Sequence, residues 1–408
     1  MTFSADYAQY NQGVHPIKDN ILTRQKNNKS EDRKDTEFMA GSSFGTIFKI
    51  TTWGESHGRG IGVVIDGCPA GIPLQEEWVQ TYLNRRKPGQ TRYSTPRREN
   101  DTVTIESGVF DGLTTGTPIS MVVYNETQRS SDYSEIANYY RPGHADFTFD
   151  AKYGFRDYRG GGRSSGRETI GRVAAGAVAC ALLKELGIAV TAYTKTIGPV
   201  TSTPSSLLAA DLIKERDASP LFLPGKEASD AAEEYLKNTM KQLDSAGGII
   251  ECIISGCPAG LGDPVFEKLD ANLAKAIFSI GAVKGVEIGS GFLCAAANGS
   301  GNNDAFLGME NGHAKKATNH AGGILGGISD GSDIVLRAAI KPTPSIFKEQ
   351  QTIRRDGSPV LVQIKGRHDP VIVPRAVVVV EAMAALVISD ALLLNMSARI
   401  DRIREFYR

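Results

Sequence analysis

One pentapeptide, Gly-Cys-Pro-Ala-Gly, occurs twice in the 408-residue chain, at 67–71 and at 256–260. Each copy follows a short apolar stretch, 61–65 in the first case and 249–254 in the second, and both stretches have the length of a buried strand. A match that recurs in the same local context is the signature of an internal repeat. The sequence therefore predicts two related halves.

Each half also contains the pattern of a long apolar helix. A first helical pattern begins near Glu76, and long helices that are apolar on most faces are predicted over 168–186 and 375–394. Such helices must be buried, and packing them between two sheets would bury both. We therefore expect an α+β fold: a β-α-β sandwich with helices between two antiparallel sheets and a pseudo-two-fold repeat, with halves at about 41–200 and 231–400.

Two segments stand apart from this pattern. The segment 201–230 is rich in Ser, Pro, Ala and Asp, which is typical of a peripheral insertion or a linker. The segment 376–394 is almost wholly apolar, but it is short for a membrane span and contains Glu381 and Asp390. We expect a buried core helix there, and its valine run leaves a strand as the alternative for the first turn.

Charge and cysteine content exclude several classes of protein. The chain has 46 basic and 46 acidic residues, so no dispersed attraction to nucleic acid or membrane is expected, and anion binding must be local. The five cysteines form no Cys-x-x-Cys pair, which predicts reduced, buried thiols rather than zinc or redox sites. Residues 1–38 lack the apolar stretch of a signal peptide, so we expect a polar leader ahead of a single domain, 39–408.

A glycine-rich segment, Arg-Gly-Gly-Gly-Arg-Ser-Ser-Gly-Arg-Glu at 159–168, leads directly into the first long helix. Ser165 and Glu168 have the spacing of a capping box. The glycines allow a ligand to approach the backbone, the helix start favours an anion, and Arg163 and Arg167 add charged donors. The segment predicts an anion site; an ordinary glycine turn before a capped helix is the alternative.

A second basic stretch, 85–98, contains proline and glycine and has no acidic residue ahead of the glutamate at 99. It is interpreted as a loop whose like charges repel unless a ligand neutralises them, with a solvated charge run as the alternative. His57 and His144 each lie in a glycine-containing turn, where a histidine is either a proton donor near neutral pH or an ordinary surface residue. His368 and Asp369 form a further pair beside an arginine.

Five motifs together resemble the chorismate synthase family, over about residues 41–398. The motifs are Gly-Glu-Ser-His-Gly at 54–58, Arg-Pro-Gly-His-Ala-Asp at 141–146, Asp-Tyr-Arg-Gly-Gly-Gly-Arg-Ser-Ser at 157–165, Asn-His-Ala-Gly-Gly-Ile-Leu-Gly-Gly at 319–327 and Gly-Arg-His-Asp-Pro at 366–370. Each is longer than a chance pattern, and they occur in the order that the family has.

The resemblance implies a cytoplasmic homotetramer and a lyase reaction of the shikimate pathway, which leads to aromatic amino acids. The substrate would be 5-enolpyruvylshikimate 3-phosphate, which loses phosphate in a 1,4-anti elimination to give chorismate. Reduced FMN would be required without net redox change. Because the sequence shows no additional oxidoreductase domain, the reducing equivalents would come from NADPH or from a separate flavin reductase in solution.

The resemblance also implies roles for individual residues. Five arginines would hold the substrate: Arg86, Arg92, Arg141, Arg163 and Arg367. The flavin would lie against Arg163, Ser164, Ser165, Gly281, Ala282, Gly326, Lys341, Pro342, Thr343, Pro344, Ser345 and Arg367. In catalysis His57 would assist the departing phosphate, His144 would protonate the reduced flavin, and Asp369 would relay a proton together with Ser56 and Ser165.

One position departs from the family pattern, since an asparagine is expected where this chain has Gly281. Two other classes of function stay open from the residues alone. An RNA-binding protein is suggested by the Arg-Gly-Gly-Gly-Arg segment, but the neutral net charge and 7% aromatic content count against it. A flavin-free phosphotransferase is suggested by the arginine loops, although no metal-binding acidic motif accompanies them.

Overall fold

Antiparallel strands and helices alternate along the chain in the computed structural model, which describes residues 41–95, 99–126, 135–310, 313–364 and 369–408. The strands are β1 Ser43–Phe44, β2 Lys49–Gly54, β3 Gly60–Asp66, β4 Val103–Ser107, β5 Val109–Phe110, β6 Leu113–Thr114, β7 Ile119–Tyr124, β8 Ala189–Ile197, β9 Val200–Thr201, β10 Gly248–Ser255, β11 Val283–Ile288, β12 Phe306–Glu310, β13 His313–Lys316, β14 Ile324–Leu325, β15 Ile328–Ser329, β16 Ile334–Ile340, β17 Glu349–Ile353 and β18 Pro359–Gln363. The helices are α1 Glu76–Arg86, α2 Asp146–Tyr153, α3 Thr169–Glu185, α4 Ala209–Asp217, α5 Lys226–Lys241, α6 Leu269–Phe278, α7 Gly299–Asn302, α8 Val373–Asn395 and α9 Ile400–Phe406.

The two large sheets each contain five strands. The first has the order β1-β2-β3-β7-β4 and the second has the order β11-β16-β10-β8-β9. All neighbouring strands run antiparallel, with Val63 opposite Met121 in the first sheet and Cys252 opposite Leu336 in the second. The predicted α+β class is therefore confirmed, and the predicted strands 61–65 and 249–254 correspond to β3 and β10.

The long apolar helices α3 and α8 pack against each other and each contacts a sheet. Helix α3 contacts β2, β3 and β7 of the first sheet, whereas α8 contacts β8 and β10 of the second. The two helices approach so closely at Gly176 that a Cβ added there would lie 2.3 Å from the Cβ of Ala382. Helix α8 is long and apolar enough to span a membrane, yet 78% of its most apolar window is buried inside the protein. The prediction of a buried core helix is confirmed, and the helix begins at Val373 with no strand in its first turn.

Two carboxylates of α8 have buried or backbone partners, which explains why an apolar helix carries them. Glu381 accepts hydrogen bonds from Arg85 at 2.6 Å, from Arg216 at 2.7 Å and from a backbone amide of β8 at 2.8 Å. Asp390 accepts three backbone N–H bonds from residues 46–48 at 2.7–2.9 Å. Since a buried charge is tolerated only when it is paired, these contacts permit the helix to remain in the core.

The interpretation of 201–230 as a linker was wrong for much of its length. The segment forms α4 and the start of α5, and Leu212, Leu221 and Leu223 are fully buried. Its polar composition reflects the exposed faces of these helices, while a few leucines attach it to the outer side of β8 and to the core. It is a structured insertion.

The cysteines are free thiols, as predicted, but not all are buried. Cys68, Cys252 and Cys257 are buried, Cys180 is half-buried and Cys294 is exposed. Burial raises the pKa of Cys68 to about 12 and that of Cys257 to about 11, so both stay protonated and inert at neutral pH. The prediction of a buried thiol was therefore wrong for Cys294. The leader predicted at 1–38 lies outside the described residues.

Candidate active site

A cavity of about 620 Å³ lies where the N-terminal ends of α3 and α8 meet the C-terminal ends of α1 and α6. Helix starts present free backbone N–H groups and the positive end of the helix dipole, so two of its walls favour anions. The basic side chains among its lining residues are Arg86, Arg163, Arg167, Arg172, Lys284, Lys341 and Arg375. The acidic side chains among them are Glu168 and Asp369. The cavity therefore has a strong excess of positive charge in a chain with none overall.

The glycine-rich segment enters α3 by a route that the sequence did not predict. A 3-10 turn, Gly166–Glu168, precedes the helix, and the Ser165 hydroxyl accepts the N–H of Arg167 at 3.3 Å. Glu168 does not return to Ser165; it accepts instead from Thr52 at 2.9 Å and from Arg172 at 2.7 Å. The predicted capping box was therefore wrong, because the extra turn shifts the start of α3 to Thr169.

Arg163 lines the cavity, but its guanidinium is already engaged by the first sheet. It donates to the Thr52 hydroxyl at 2.7 Å and to the carbonyls of Thr52 and Gly54 at 3.1 Å each. Its carboxylate neighbour Glu168 lies 3.6 Å away. The side chain thus joins the glycine-rich segment to β2, while 27% of it remains exposed for a ligand.

A buried carboxylate, Asp101, joins two of the cavity arginines. It pairs with Arg86 and lies 3.1 Å from Arg167, and all three side chains are at most 5% exposed. Burial lowers the pKa of Arg86 to about 10, although Asp101 opposes this effect. Burial alone would raise the pKa of Asp101, but the two arginines hold it below its ordinary value. We call Arg86, Arg167 and Asp101 the arginine floor.

Another part of the cavity lining carries lysines without such a partner. The strand ends of β11 and β16 meet there, because the Lys341 N–H donates to the Ala282 carbonyl at 2.9 Å. Burial and the charge of Lys284 lower the pKa of Lys341. Within the described parts of the chain, no carboxylate lies at ion-pair distance from either lysine. We call Lys284 and Lys341 the lysine end.

The two predicted histidines lie on either side of Gly160. The Arg141 guanidinium contacts His144 Nδ1 at 3.0 Å and donates to the Gly160 carbonyl at 3.2 Å. A Cβ added to Gly160, whose φ is +100°, would lie 2.6 Å from His57 Cε1 and 3.2 Å from Ser56 Oγ. The Ser56 hydroxyl is 3.2 Å from His57 Nδ1. The glycine is required because any side chain would displace the His57 ring.

Asp369 is held at the start of α8. Its carboxylate accepts the Thr95 N–H at 2.8 Å and pairs with Arg375 at 2.5 Å. Arg375 also donates to the Arg86 carbonyl at 3.1 Å, so this pair is linked to the arginine floor. Arg367 and His368 lie outside the described residues.

The structure brings together only part of the predicted set. The predicted residues that line the cavity are Arg86, His144, Arg163, Ser164, Ser165, Gly281, Ala282, Lys341, Pro344 and Asp369. The predicted residues outside its lining are Ser56, His57, Arg92, Arg141, Gly326, Pro342, Thr343 and Ser345. Of these, Arg141 contacts the cavity residue His144, Ser56 and His57 lie beside Gly160, and Arg92 is 64% exposed and pairs with Glu233.

The sequence analysis missed three basic residues of the cavity lining and also Asp101, which pairs with Arg86 and Arg167. Arg172 and Arg375 lie in the first turns of α3 and α8, Lys284 lies in β11, and Asp101 lies in a loop before β4. The basic residues of helix first turns were a usable signal, because they depart from the acidic preference of that position. The basic run 85–98 is neutralised in part by distant carboxylates: Arg85 by Glu381, Arg86 by Asp101 and Arg92 by Glu233.

Comparisons with known proteins agree with one another. The family model that matches is described as chorismate synthase, and it matches residues 48–393. The chorismate synthase of Lachnoclostridium phytofermentans is 69% identical over 370 residues, which is 91% of this chain and 100% of that protein. The chorismate synthase of Methanosarcina mazei is 54% identical over 87% of this chain and 97% of that protein. A crystal structure of chorismate synthase is similar with a TM-score of 0.69 and 30% identity, over 88% of this chain and 95% of that one.

Proposed function

The chain belongs to the chorismate synthase family, whose members are lyases, and we propose that it eliminates phosphate from 5-enolpyruvylshikimate 3-phosphate by a 1,4-anti route to give chorismate. The observation that carries this proposal is the cavity itself: seven basic and two acidic side chains line it, and His144 is among its walls. A substrate with two carboxylates and a phosphate supplies the negative charge that such a cavity lacks. Guanidinium groups bind both kinds of anion through paired donors.

Reduced FMN is the cofactor that we propose, and the residues present fit it. A flavin phosphate matches the lysine end, where two cations have no carboxylate partner among the described residues. The Thr343 hydroxyl, in the segment that follows Lys341, is buried without a hydrogen-bond partner and suits the same group. Space around Gly281 is open, so the absence of an asparagine side chain leaves room for a ring system. When bound, reduced FMN supplies electron density that lowers the barrier to phosphate departure from the allylic system.

The protein's own residues then hold the substrate and manage protons. We propose that the arginine floor together with Arg163 and Arg375 holds the anionic groups of the substrate. His57, His144 and Asp369 hold the protons that the reaction moves, with Ser56 and Ser165 completing the relay. Arg92, Arg141, Gly326, Pro342, Ser345 and Arg367 remain candidates from the resemblance. For Arg141, Nε and Nη2 already donate to protein acceptors, which leaves the Nη1 hydrogens for any contact with the substrate.

The partners follow from the same proposal. We propose that the reductant is NADPH or a separate flavin reductase, that the enzyme acts in the cytoplasm, and that it is a homotetramer. The oligomer is supported by the segment 291–310, where large apolar side chains are mostly exposed: Phe292 79%, Leu293 77%, Phe306 65%, Leu307 62% and Met309 72%. Apolar surface of this extent is typical of an interface.

We also propose that the two sheets and their helices are a duplicated unit, within one domain from 39 to 408. The strand order β2-β3-β7-β4 in the first sheet corresponds to β8-β10-β16-β11 in the second, with α1 matching α6 and α3 matching α8. Both pentapeptide turns begin with a glycine at similar φ, +73° for Gly67 and +75° for Gly256. At each one a Cβ would meet a backbone oxygen at 2.4 Å or less. This correspondence supports a pseudo-two-fold arrangement of helices between sheets.

An anaerobic assay with photoreduced FMN tests the function. Purified protein and substrate are expected to release phosphate and chorismate in equal amounts, and oxidised FMN is expected to stop both. Phosphate release that needs no flavin would instead favour a phosphotransferase or phosphatase. Binding of single-stranded RNA, with no turnover under any redox condition, would favour the RNA-binding alternative and overturn the proposal.

A further inference from the structure

The ring of His144 is held by a carboxylate to which neither the motifs nor the proposed function gives a role. Asp146 is the first residue of α2, and its side chain is 3% exposed. Its Oδ1 lies 2.9 Å from His144 Nδ1. A histidine whose second nitrogen is bonded to a buried carboxylate has a fixed orientation and a fixed tautomer.

The protons of this group can be assigned by counting donors and acceptors. Arg141 Nη2 carries two hydrogens, and two oxygens lie within reach: Asp146 Oδ1 at 2.7 Å and the Gly160 carbonyl at 3.2 Å. No hydrogen of Nη2 is then left for His144, although the two nitrogens are 3.0 Å apart. His144 Nδ1 must therefore be the donor to Asp146, and Nε2 is the ring nitrogen left for the cavity.

Asp146 itself is locked in its ionised form. Its Oδ2 accepts from the Arg141 backbone N–H at 3.0 Å and from Arg141 Nε at 2.8 Å. Burial alone would raise the pKa of Asp146, but the hydrogen bonds from Arg141 and His144 hold it well below its ordinary value. The carboxylate is therefore an anion next to the imidazole at neutral pH.

We propose that Asp146 is a positioning residue, which fixes His144 as the Nδ1–H form, so that Nε2 is the nitrogen that delivers a proton into the cavity. This inference rests on the proposed function, in which His144 donates a proton. The other charges facing the ring are Arg141 in its own loop, Arg156 at 3.9 Å from Asp146 Oδ1, and Lys341, whose Nζ donates to the Gly143 carbonyl at 2.6 Å. All three are cations, so Asp146 is the anion of this group that can accept the Nδ1 proton.

The variant Asp146→Asn tests the proposal, with Asp150→Asn as its matched control. Asp150 lies on the same helix, has a side chain that is 9% exposed, and pairs with Arg156 at 2.8 Å, but it makes no contact with His144. For Asp146→Asn we expect kcat to fall on the order of a hundredfold and KM to change less than about threefold. Because the ring can then adopt either tautomer, the loss should appear in kcat rather than in KM. Asp150→Asn should change neither constant by more than about threefold.

The tautomer is measured separately, without cofactor or turnover. Protein labelled with ¹⁵N-histidine is expected to show His144 protonated at Nδ1 and bare at Nε2 at alkaline pH, assigned by the loss of the signals in His144→Asn. Asp146→Asn should abolish this preference, and Asp146→Glu, which keeps a carboxylate acceptor, should retain more of the Nδ1–H form than Asp146→Asn does.

Two results would overturn the proposal. One is a ring that carries its proton on Nε2 in the unaltered protein, which is informative even if the Asp146 variants do not fold. The other is a kcat of Asp146→Asn that equals that of Asp150→Asn. If the unaltered protein eliminates no phosphate, the proposed function fails, while the ¹⁵N signals still decide whether Asp146 fixes the ring.

Discussion

The arginine floor and the lysine end belong to the same cavity, but the cations of the floor have carboxylate partners and those of the lysine end have none among the described residues. On the floor, Arg86 and Arg167 share the buried carboxylate of Asp101, and Glu99 lies 3.8 Å from Arg167, so their charges are balanced before any ligand arrives. At the lysine end, Lys284 and Lys341 are close enough for one to lower the pKa of the other. The comparison separates cations that build the site from cations that lack a counterion.

This difference has a physical consequence for binding. A guanidinium held by a buried carboxylate is preorganised, so it orients a ligand at little entropic cost but adds less net charge. An unbalanced pair of lysines gains more from an anion, because the ligand removes their mutual repulsion. The floor should therefore govern stability and orientation, whereas the lysine end should govern affinity for a phosphate.

The largest effect is expected on the floor, from Asp101→Ala. The change leaves two buried arginines without their shared counterion, which typically costs about 3–5 kcal/mol of unfolding free energy. Urea unfolding followed by circular dichroism measures this loss. A decrease in unfolding free energy of less than about 1 kcal/mol would mean that the arginine floor is not an internally balanced unit. The contrast with the lysine end would then fail. Glu233→Ala, which removes the partner of the exposed Arg92, is the control and should cost less than about 1 kcal/mol.

The next effect concerns Gly160, the residue beside both histidines. It tests whether the Gly160 backbone is part of the preorganised region of the site. Gly160→Ala places a Cβ 2.6 Å from the His57 ring at a φ of +100°. We expect a loss of about 1–3 kcal/mol in stability from the strained backbone, and in addition at least a tenfold fall in kcat because the ring must move.

Gly162→Ala separates these two contributions. Gly162 also has a positive φ, +51°, but a Cβ there meets nothing within 4 Å. The Gly162→Ala variant should therefore lose stability, but its kcat should fall less than that of Gly160→Ala. Equal losses of kcat in the two variants would show that backbone strain, and not displacement of His57, is the cause.

The fold was more predictable from sequence than the site, and the reason is the range of the interactions. Strands β3 and β10 and helices α3 and α8 follow from local apolar periodicity, and the repeated turns follow from glycines at Gly67 and Gly256 whose positive φ is a local property. Helix α4 was missed because its polar face dominates the composition, although Leu212 anchors it.

The site depends on contacts between distant segments, which a single sequence does not encode locally. Asp101 reaches Arg167 from 66 positions away, and Lys341 reaches Gly143 from 198 positions away. The histidine turns and the glycine-rich segment could be found because glycine and histidine stand out in a loop. An aspartate such as Asp101 does not, since nothing near it in sequence indicates burial.

A third effect is expected at the lysine end and should be selective for binding. Lys341→Ala removes a cation without a carboxylate partner, so its cost in stability should stay below about 1 kcal/mol, and it relieves the repulsion on Lys284. The dissociation constant for reduced FMN should nevertheless rise about tenfold to a hundredfold, as expected for a lost charged hydrogen bond. Anaerobic fluorescence titration measures it. If Lys341→Ala destabilised the fold as much as Asp101→Ala, the distinction between the two regions would be lost.

The smallest effect is expected at Gly281, beside the lysine end. It tests how the flavin contacts this part of the cavity. Its backbone has no positive φ, and a Cβ there would meet nothing within 4 Å, so Gly281→Asn should change stability by less than about 0.5 kcal/mol. Gly289→Asn is the contrast, because its Cβ would lie 2.1 Å from the His320 carbonyl oxygen and should destabilise the protein. If the flavin contact at Gly281 is through the backbone, the dissociation constant for FMN stays within about threefold of its original value. Much tighter binding of FMN by Gly281→Asn would mean that the asparagine side chain expected in relatives bonds directly to the flavin. In this chain the lysines would then compensate for the missing asparagine bond.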